Sequence, residues 1–155
     1  MTMLKAKTRN IAKARPTEVV RKAMSAVKAK DTAPELALRK ALHARGFRYR
    51  LHDKKLPGKP DLVFASRKLA LFIDGDYWHG RQWKKRGFAS LEAQMKRVNN
   101  ADYWIKKITG NIERDKKHTR ALKSQGWRVI RIWESDLKTR GEKEIEKVVR
   151  KIENS

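Results

Sequence analysis

The feature that most restricts the fold of this chain is a pair of short apolar segments separated by a polar break. The segments are "DLVFA" and "KLALFID", and Ser66 and Arg67 lie between them. Short apolar runs bounded by turn residues are typical of buried strands, and so brief a break joins antiparallel neighbours. We therefore predict a central β-hairpin, against which the rest of the chain must pack in layers.

A helix is predicted before the hairpin. In "DTAPE", Thr32 can act as the N-cap and Glu35 stands three residues later, which is the spacing of a capping box. Gly46 is expected to end the helix. Three apolar residues at helical spacing form its expected buried face: Leu38, Ala41 and Leu42. The spacing also places Glu35 on the side that packs inward.

The remaining segments complete an α/β pattern. Alternation in "FRYRLH" (47–52) predicts a strand with one wet face, and "WRVIRIWE" predicts a buried strand. Helices are expected from about 100 to 124 and over the amphipathic C-terminal segment, whereas 75–90 is expected to be a long loop. The order α-β-β-β-α-β-α predicts a mixed sheet with helices on both faces.

The chain has the length of one domain and is strongly basic. Its 155 residues carry a net charge of +23, so the expected partners are polyanions, nucleic acid first and acidic membrane surfaces second. We expect residues 1–18 to form a basic, flexible arm and residues 19–155 to form a single domain. A short helix is expected within "VVRKAMSAVKAK" at the start of that domain.

Two absences narrow the class of protein. The chain has no Cys, which excludes disulfides and thiolate metal sites and is compatible with a cytoplasmic location. No apolar run approaches the ~18 residues of a membrane span, and the N-terminus lacks the apolar centre of a signal peptide. A basic structural protein can share this composition, but five Trp and a patterned core favour a folded domain with a site.

The segment "FIDGDYWHG" (72–80) brings carboxylates, rings and an imidazole together at the end of the second strand of the hairpin. If the hairpin turn has two or four residues, Asp61 pairs with Phe72. Asp61 and Asp74 then become diagonal neighbours on one face, about 7–8 Å apart. Two such carboxylates repel unless a cation lies between them, and oxygen ligands near a phosphate suit Mg²⁺. A slip of one residue would turn Asp74 away and make the backbone carbonyl of Ile73 the expected contact.

Each candidate also has an ordinary structural explanation. Asp61 can simply open a strand after a proline, and Asp74 can serve the turn before Gly75. The capping box already accounts for Glu35, and a lone His79 can be a structural histidine. Their joint presence in one very basic chain favours a catalytic role.

Aromatic and basic residues point to a nucleic-acid surface. Tyr77 and Trp78 follow Gly75 in a charged loop, where rings can stack on bases or wedge between them, whereas Trp127 and Trp133 are expected in the core. The predicted second helix carries a basic run that we expect to contact phosphates: Lys106, Lys107, Arg114, Lys116, Lys117 and Arg120. Three histidines among basic residues are expected to face phosphates or solvent: His43, His52 and His118.

Three segments, "LPGKPDLVF", "LFIDGDYWHG" and "NIERDKKHTRALKSQGWRVIRIWE", resemble the very-short-patch repair (Vsr) endonucleases. This family is a branch of the PD-(D/E)XK restriction-endonuclease-like fold, and the resemblance runs from about Val20 to Leu137. Its four motifs occur here in the family's order, which makes the match specific. The resemblance implies an enzyme that nicks one DNA strand beside a T:G mismatch left by deamination of 5-methylcytosine.

The resemblance also implies roles for individual residues. Asp61 matches the metal-binding aspartate, and Ile73 matches the position whose backbone oxygen also contacts Mg²⁺. His79 matches the catalytic histidine, for which we expect a general-base role, and Glu35 matches a glutamate that supports the site through water. Tyr77, Trp78 and Trp104 match the rings of the family that enter the duplex. Met24 matches a residue that acts as a wedge in the minor groove. Further DNA contacts are expected from Lys59, Lys106, Lys107 and Arg114.

The chain departs from the family pattern beside this loop. Many relatives carry a structural zinc site there, but the two cysteine positions are Asp76 and Ser135 in this sequence, so we predict no zinc. Packing by Trp83 and Phe88 is expected to hold the loop instead. Asp74 and Asp76 are also candidates to enlarge the metal site, which leaves one-metal and two-metal arrangements open.

The leading expectation is a Mg²⁺-dependent mismatch nicking endonuclease, with Mn²⁺ as a substitute ion. It is expected to act as a monomer on double-stranded DNA, away from membranes, in a prokaryotic cytoplasm or from a mobile element. A sequence-specific homing or restriction nuclease is the first alternative. The second is a non-catalytic DNA-binding protein, against which the joint presence of Asp61, His79 and Glu35 counts.

Overall fold

A computed structural model describes residues 31–77, 79–96 and 98–154, in which a four-stranded mixed sheet lies between helices. The expected arm (1–18) and the helix expected within 19–30 lie outside these residues. The strands are β1 (Arg50–Leu51), β2 (Leu62–Phe64), β3 (Leu69–Asp74) and β4 (Arg128–Trp133). The helices are α1 (Ala33–Ala44), α2 (Gln82–Lys85), α3 (Leu91–Met95), α4 (Ala101–Ser124), α5 (Glu134–Arg140) and α6 (Glu142–Glu153).

The central hairpin has the predicted register. A 3₁₀ turn over Ala65–Arg67 and the left-handed Lys68 (φ 47°) join β2 to β3, and Leu62 pairs with Leu71. The same register extended by one residue sets Asp61 opposite Phe72. Because side chains alternate along a strand, Asp61, Phe72 and Asp74 belong to one face of the sheet.

A second, parallel pairing completes the sheet. The strand order is β1-β2-β3-β4, and β4 runs parallel to β3 with Asp74 beside Trp133. Parallel neighbours need a long crossover, and α4 is the longest helix within it. The two strands consequently end at the same edge, where α4 passes over them.

Helices cover both faces of the sheet, as predicted. On one face, α1, α5 and α6 pack against an apolar layer that includes Phe64, Leu71 and Ile132. On the other face, Leu122 of α4 packs against Ala70 and Phe72. A separate cluster holds α3 and the first half of α4 together through Leu91, Met95, Trp104 and Ile108.

The first helix begins as predicted, with one difference. Thr32 Oγ1 accepts a hydrogen bond from the Glu35 amide at 3.4 Å, and Leu38 and Leu42 are buried. The Glu35 carboxylate, however, accepts from the amide of Asp31 at 3.0 Å and not from that of Thr32. Glu35 is 3% exposed, so it is turned toward the interior at the start of the helix.

Three elements differ from the predictions. The strand expected over 47–52 is confined to Arg50–Leu51, because Phe47 and Tyr49 turn into the core against Phe64 and His52 adopts a left-handed conformation (φ 47°). The expected long loop at 75–90 contains α2, and α3 follows it. The single C-terminal helix is divided at Gly141, whose φ of 48° and ψ of −117° suit glycine alone.

The helices of the described residues include none that is long and apolar enough to cross a membrane.

Candidate active site

Three titratable side chains meet where the parallel strands end. Asp74 is the last residue of β3, His79 follows in the next loop, and Asp115 comes from α4. His79 Nδ1 lies 2.5 Å from Asp115 Oδ2 and 3.7 Å from Asp74 Oδ1. A neutral ring in this position carries its proton on Nδ1 and presents Nε2 as a proton acceptor.

A guanidinium from β4 neutralises the buried acid of this group. Arg131 donates from one terminal nitrogen to both carboxylate oxygens of Asp74, at 3.0 and 3.1 Å. It also donates to Thr119 Oγ1 at 3.0 Å and to the backbone oxygen of Asp115 at 3.4 Å. The guanidinium carbon lies 4.0 Å from the ring centroid of Phe72. Arg131 therefore connects β4, the end of β3 and one turn of α4.

The charges of this group shift its pKa values. Burial disfavours the charged ring of His79, but the hydrogen bond with Asp115 and the charges of Asp74 and Asp115 outweigh it and raise the pKa of His79. Burial also raises the pKa of Asp74, although His79 and Arg131 oppose the shift. An imidazole with a raised pKa is a stronger base, which suits a group that must take a proton from water.

Asp61 lies at the opening of β2, on the same face of the sheet. Its Oδ2 accepts a hydrogen bond from the amide of Ile73 at 2.7 Å. His52 stands between two acids, with Nδ1 at 3.6 Å from Asp61 Oδ1 and Nε2 at 3.3 Å from Glu35 Oε1. Burial, with the nearby charges of Glu35 and Asp74, raises the pKa of Asp61 to about 6.

The environment of Asp61 fits a divalent cation. Its Oδ2 accepts a hydrogen bond from the Ile73 amide. Its Oδ1 lies 3.6 Å from Nδ1 of the His52 ring. Burial and neighbouring acids disfavour its ionised form, and a bound cation would relieve that penalty. A carboxylate and a backbone carbonyl are ligands that Mg²⁺ accepts. The Asp61 carboxylate therefore has the chemistry and the surroundings of a ligand for such an ion.

Two other groups place three potential ligand atoms within 4.8 Å of one another: Asp31, Glu35 and His52, and Asp74, His79 and Asp115. Asp61 and Asp76 belong to neither group. The Asp74 carboxylate, a predicted candidate for the metal site, also accepts a hydrogen bond from Arg131. The backbone oxygen of Asp76 accepts the amides of Arg81 and Gln82, at 2.8 and 3.1 Å, and its carboxylate Oδ1 lies 3.8 Å from Arg81 Nη1.

The loop that carries His79 is held on both sides. Gly80 has φ 76°, and a Cβ added there would press on the Ile112 side chain of α4. Arg81 binds Asp136 of α5 at 2.8 Å and lies 5.0 Å from the ring centroid of Trp133, while Lys85 donates to Ser135 Oγ at 2.7 Å. These contacts join the loop to α5 at Ser135, one of the two positions at which many relatives have cysteine.

The predicted DNA-contacting residues lie in different environments. Met24 and Trp78 are outside the described residues. Trp104 is 6% exposed and makes an edge contact with Tyr77 at 6.3 Å, so entry of Trp104 into a duplex requires it to leave that cluster. The predicted basic contacts are all exposed: Lys59, Lys106, Lys107 and Arg114.

Sequence reasoning missed three residues of this site. Asp115 stands in the motif "NIERD" that supported the family resemblance, but it was given no role of its own. For Arg131 the sequence predicts only a place in a buried strand. His52 was expected to face phosphates or solvent, which is wrong, because it is only 16% exposed and lies between Glu35 and Asp61.

A cavity of about 400 Å³ opens beside His79. Three titratable residues, Asp74, His79 and Asp115, form one wall of the cavity, and Ile112 and Trp133 supply apolar surface. The remaining lining residues are largely cationic: Lys116, Thr119, Arg120 and Arg131. Cationic residues that line a cavity suit a phosphate-bearing substrate.

Comparison with known proteins shows consistent similarity. Residues 16–85 match the family described as DNA mismatch endonuclease Vsr. The type II nicking enzyme V.NmeDIP of Neisseria meningitidis serogroup C is 44% identical over 117 residues, which make up 76% of this chain and 74% of that protein. The type II nicking enzyme V.HpaIIP of Haemophilus parainfluenzae is 44% identical over 125 residues, 79% of this chain and 84% of that protein.

A relative named for mismatch cleavage is more distant. The DNA mismatch endonuclease Vsr of Escherichia coli (strain K12) is 32% identical over 121 residues, which make up 77% of this chain and 71% of that protein. The similarity to each of these proteins covers most of both chains.

Proposed function

This chain belongs to the Vsr family of DNA endonucleases, and on that premise we propose that it nicks one strand of duplex DNA at a T:G mismatch with Mg²⁺. The observation that carries the proposal is the contact of 2.5 Å between His79 Nδ1 and Asp115 Oδ2, on the same face of the sheet as the half-buried Asp61. A fixed base next to a candidate cation site supplies what phosphodiester hydrolysis requires.

In this proposal His79 is the general base. Asp115 holds the Nδ1 proton and orients the ring, so that Nε2 takes the proton of the attacking water. Protonated His79 is stabilised by Asp115 and Asp74, and it is then an acid for the leaving oxygen. When bound at Asp61 and the Ile73 carbonyl, a divalent cation supplies charge neutralisation at the scissile phosphate.

Glu35 and His52 are proposed to support Asp61. Glu35 is buried at the start of α1, and the His52 ring lies between its carboxylate and that of Asp61. Among the hydrogen bonds and ion pairs of the described residues, neither Glu35 nor His52 contacts His79. Their proposed contribution is therefore the orientation of the metal-binding carboxylate, with Glu35 acting through water as the family resemblance implies.

DNA contacts are proposed for the aromatic loop and for α4. The rings of Tyr77, Trp78 and Trp104 and the side chain of Met24 are proposed to open the base stack, where one stacked ring contributes roughly 1–3 kcal/mol per base. The exposed Lys59, Lys106, Lys107 and Arg114 are proposed to bind phosphates. The protein is proposed to act as a monomer in the cytoplasm, with residues 1–18 as a basic arm.

The test compares T:G duplexes with matched duplexes, in Mg²⁺ and in EDTA. We expect nicking of one strand of the T:G duplex in Mg²⁺ or Mn²⁺ and none in EDTA. Asp61→Ala should abolish nicking while DNA binding survives, because the residue serves the metal and not the duplex. Cleavage by Asp61→Ala within about tenfold of the unmodified protein would contradict the metal assignment, since single catalytic groups contribute about 10²–10⁴-fold.

A second candidate is sequence-specific nicking of matched DNA. It is favoured by the names of the two relatives at 44% identity, which call them type II nicking enzymes and mention no mismatch. A library of matched duplexes with a random central segment separates the candidates. Enrichment of one cleaved sequence without a mismatch would support this second function over the first.

A further inference from the structure

We propose that Arg131 is a positioning residue for strand nicking, which clamps Asp74 and Asp115 in the arrangement that holds the His79 ring. The inference rests on the proposed endonuclease function and adds to it a cationic residue that acts through two carboxylates. It follows from four contacts of one guanidinium, each at a different group of the same site.

The first step is the crowding of negative charge at one ring nitrogen. Asp115 Oδ2 and Asp74 Oδ1 both face His79 Nδ1, at 2.5 and 3.7 Å. A neutral imidazole has one proton at Nδ1 and can donate it to only one of the two carboxylates. If both carboxylates are ionised, their negative charges repel each other. Arg131 lies 3.0 Å from Asp74 Oδ1 and 3.7 Å from Asp115 Oδ1, and its charge offsets that repulsion.

The second step is the fixed direction of the guanidinium. Its Nε donates to Thr119 Oγ1 at 3.0 Å, and another nitrogen donates to the Asp115 backbone oxygen at 3.4 Å. One face of the group lies over the Phe72 ring at 4.0 Å. A planar fork with several donors can satisfy these partners together, whereas the point charge of a lysine cannot.

The third step is the lack of an equivalent cation nearby among residues 31–77, 79–96 and 98–154. Lys116 and Arg120 line the same cavity but are exposed, and Lys116 pairs with Glu113 at 3.7 Å. Among the ion pairs of the described residues, Asp74 is joined to Arg131 and to His79 only. Loss of Arg131 would leave a buried carboxylate beside the catalytic ring without a permanent counter-charge.

The role is tested in steady-state nicking of the preferred duplex with four variants and one control: Arg131→Met, Arg131→Lys, Asp74→Asn, the double variant Arg131→Met/Asp74→Asn, and the control Arg128→Met. We expect Arg131→Met to lower kcat by about 2- to 150-fold with KM nearly unchanged, which is the fold-change that corresponds to couplings within one charged network. Asp74→Asn in the Arg131→Met background should recover part of that loss, since it removes the uncompensated charge. Arg131→Lys should be intermediate. The control is Arg128→Met on the same strand, whose side chain contacts the backbone oxygen of Lys151 and not the site.

A second readout needs neither DNA nor metal. In proton–nitrogen spectra of the histidine side chains, the unmodified protein should show a strongly hydrogen-bonded His79 Nδ1 proton. This signal should weaken or shift in Arg131→Met, return in the double variant, and remain in Arg128→Met. If the unmodified protein nicks no duplex, the proposed function fails, while these spectra still decide the role of Arg131.

Three results would overturn the inference. One is an Arg131→Met variant with the kcat and the His79 signal of the Arg128→Met control. Another is a loss confined to KM, which would make Arg131 a DNA contact. The third is strict additivity of the Asp74 and Arg131 substitutions, which would show that the two residues do not act together. Should Arg131→Met fail to fold, Arg131→Lys and the double variant carry the same comparison.

Discussion

Asp61 shows how a single carboxylate can oppose the stability of the protein that contains it. Its pKa is raised to about 6 in the folded chain, chiefly by burial, against 3.8 for the unperturbed group. The folded state therefore binds a proton more tightly than the unfolded state does. By linkage, the contribution of Asp61 to stability falls as the pH rises through this window and is lowest above pH 6.

We predict that Asp61→Asn raises the free energy of unfolding at pH 8 in EDTA by about 1–3 kcal/mol, and that the gain vanishes near pH 4. Denaturant unfolding at both pH values measures it. Glu113→Gln, which alters an exposed acid of α4, should show no such dependence. Saturating Mg²⁺ should stabilise the unmodified protein and leave the variant unaffected. An equal effect of Asp61→Asn at pH 4 and pH 8 would contradict the assignment.

At the residue scale, the sequence predicted the acids of the hairpin better than their partners. Asp61, Asp74 and His79 lie next to one another in two motifs, and their proximity follows from a turn of a few residues. Asp115 and Arg131 reach His79 from distant parts of the chain. A charged residue inside "WRVIRIWE" signals a half-buried site, but only the neighbouring strand identifies which acid it meets.

At the element scale, that difference has a physical cause. A local connection of four residues sets the β2–β3 register. The face of the sheet to which Asp61 belongs therefore follows from the sequence. The β3–β4 register is set by packing of the whole crossover through α4, which no local pattern encodes. The same limit explains the missed helices α2 and α3 and the shortened β1, whose formation depends on tertiary contacts.

The loop after β3 offers a test of how closely it must lie against α4. Gly80 and Gly87 have nearly equal φ values of 76° and 77°, but only at Gly80 would a Cβ meet another residue, the Ile112 side chain. Each change to alanine should lower stability by about 1–2 kcal/mol through backbone strain. Only Gly80→Ala should also displace the adjacent His79.

We therefore predict that Gly80→Ala lowers the nicking rate by at least about tenfold, whereas Gly87→Ala keeps it near that of the unmodified protein. The reason is that small misplacements of a catalytic group lose up to about 10²-fold in rate. Single-turnover nicking at a temperature where both variants are folded measures the effect. Equal rates for the two variants would show that the contact with Ile112 does not position His79.

At the scale of the whole molecule, the chain has a net charge of +23, and helices on both faces of its sheet carry exposed lysines. The helix α4 covers one face and passes over the active-site edge, while α6 packs on the other face. Both helices have exposed lysines, namely Lys106 and Lys107 on α4 and Lys143 and Lys147 on α6. If the charge serves DNA binding at the site, the two pairs must differ in effect although their contribution to net charge is the same.

We predict that Lys106→Gln/Lys107→Gln reduces the slope of log K against log salt by about 2 for binding to random duplex, because each phosphate contact contributes about 0.9 to it. The matched variant Lys143→Gln/Lys147→Gln should keep the slope of the unmodified protein, since counterions are released only where phosphates are neutralised. Binding titrations from 50 to 200 mM salt, a range over which six to ten contacts lose roughly 10³–10⁵ in affinity, give both slopes. Equal reductions in the two variants would mean that DNA responds to the overall charge and not to a surface on α4.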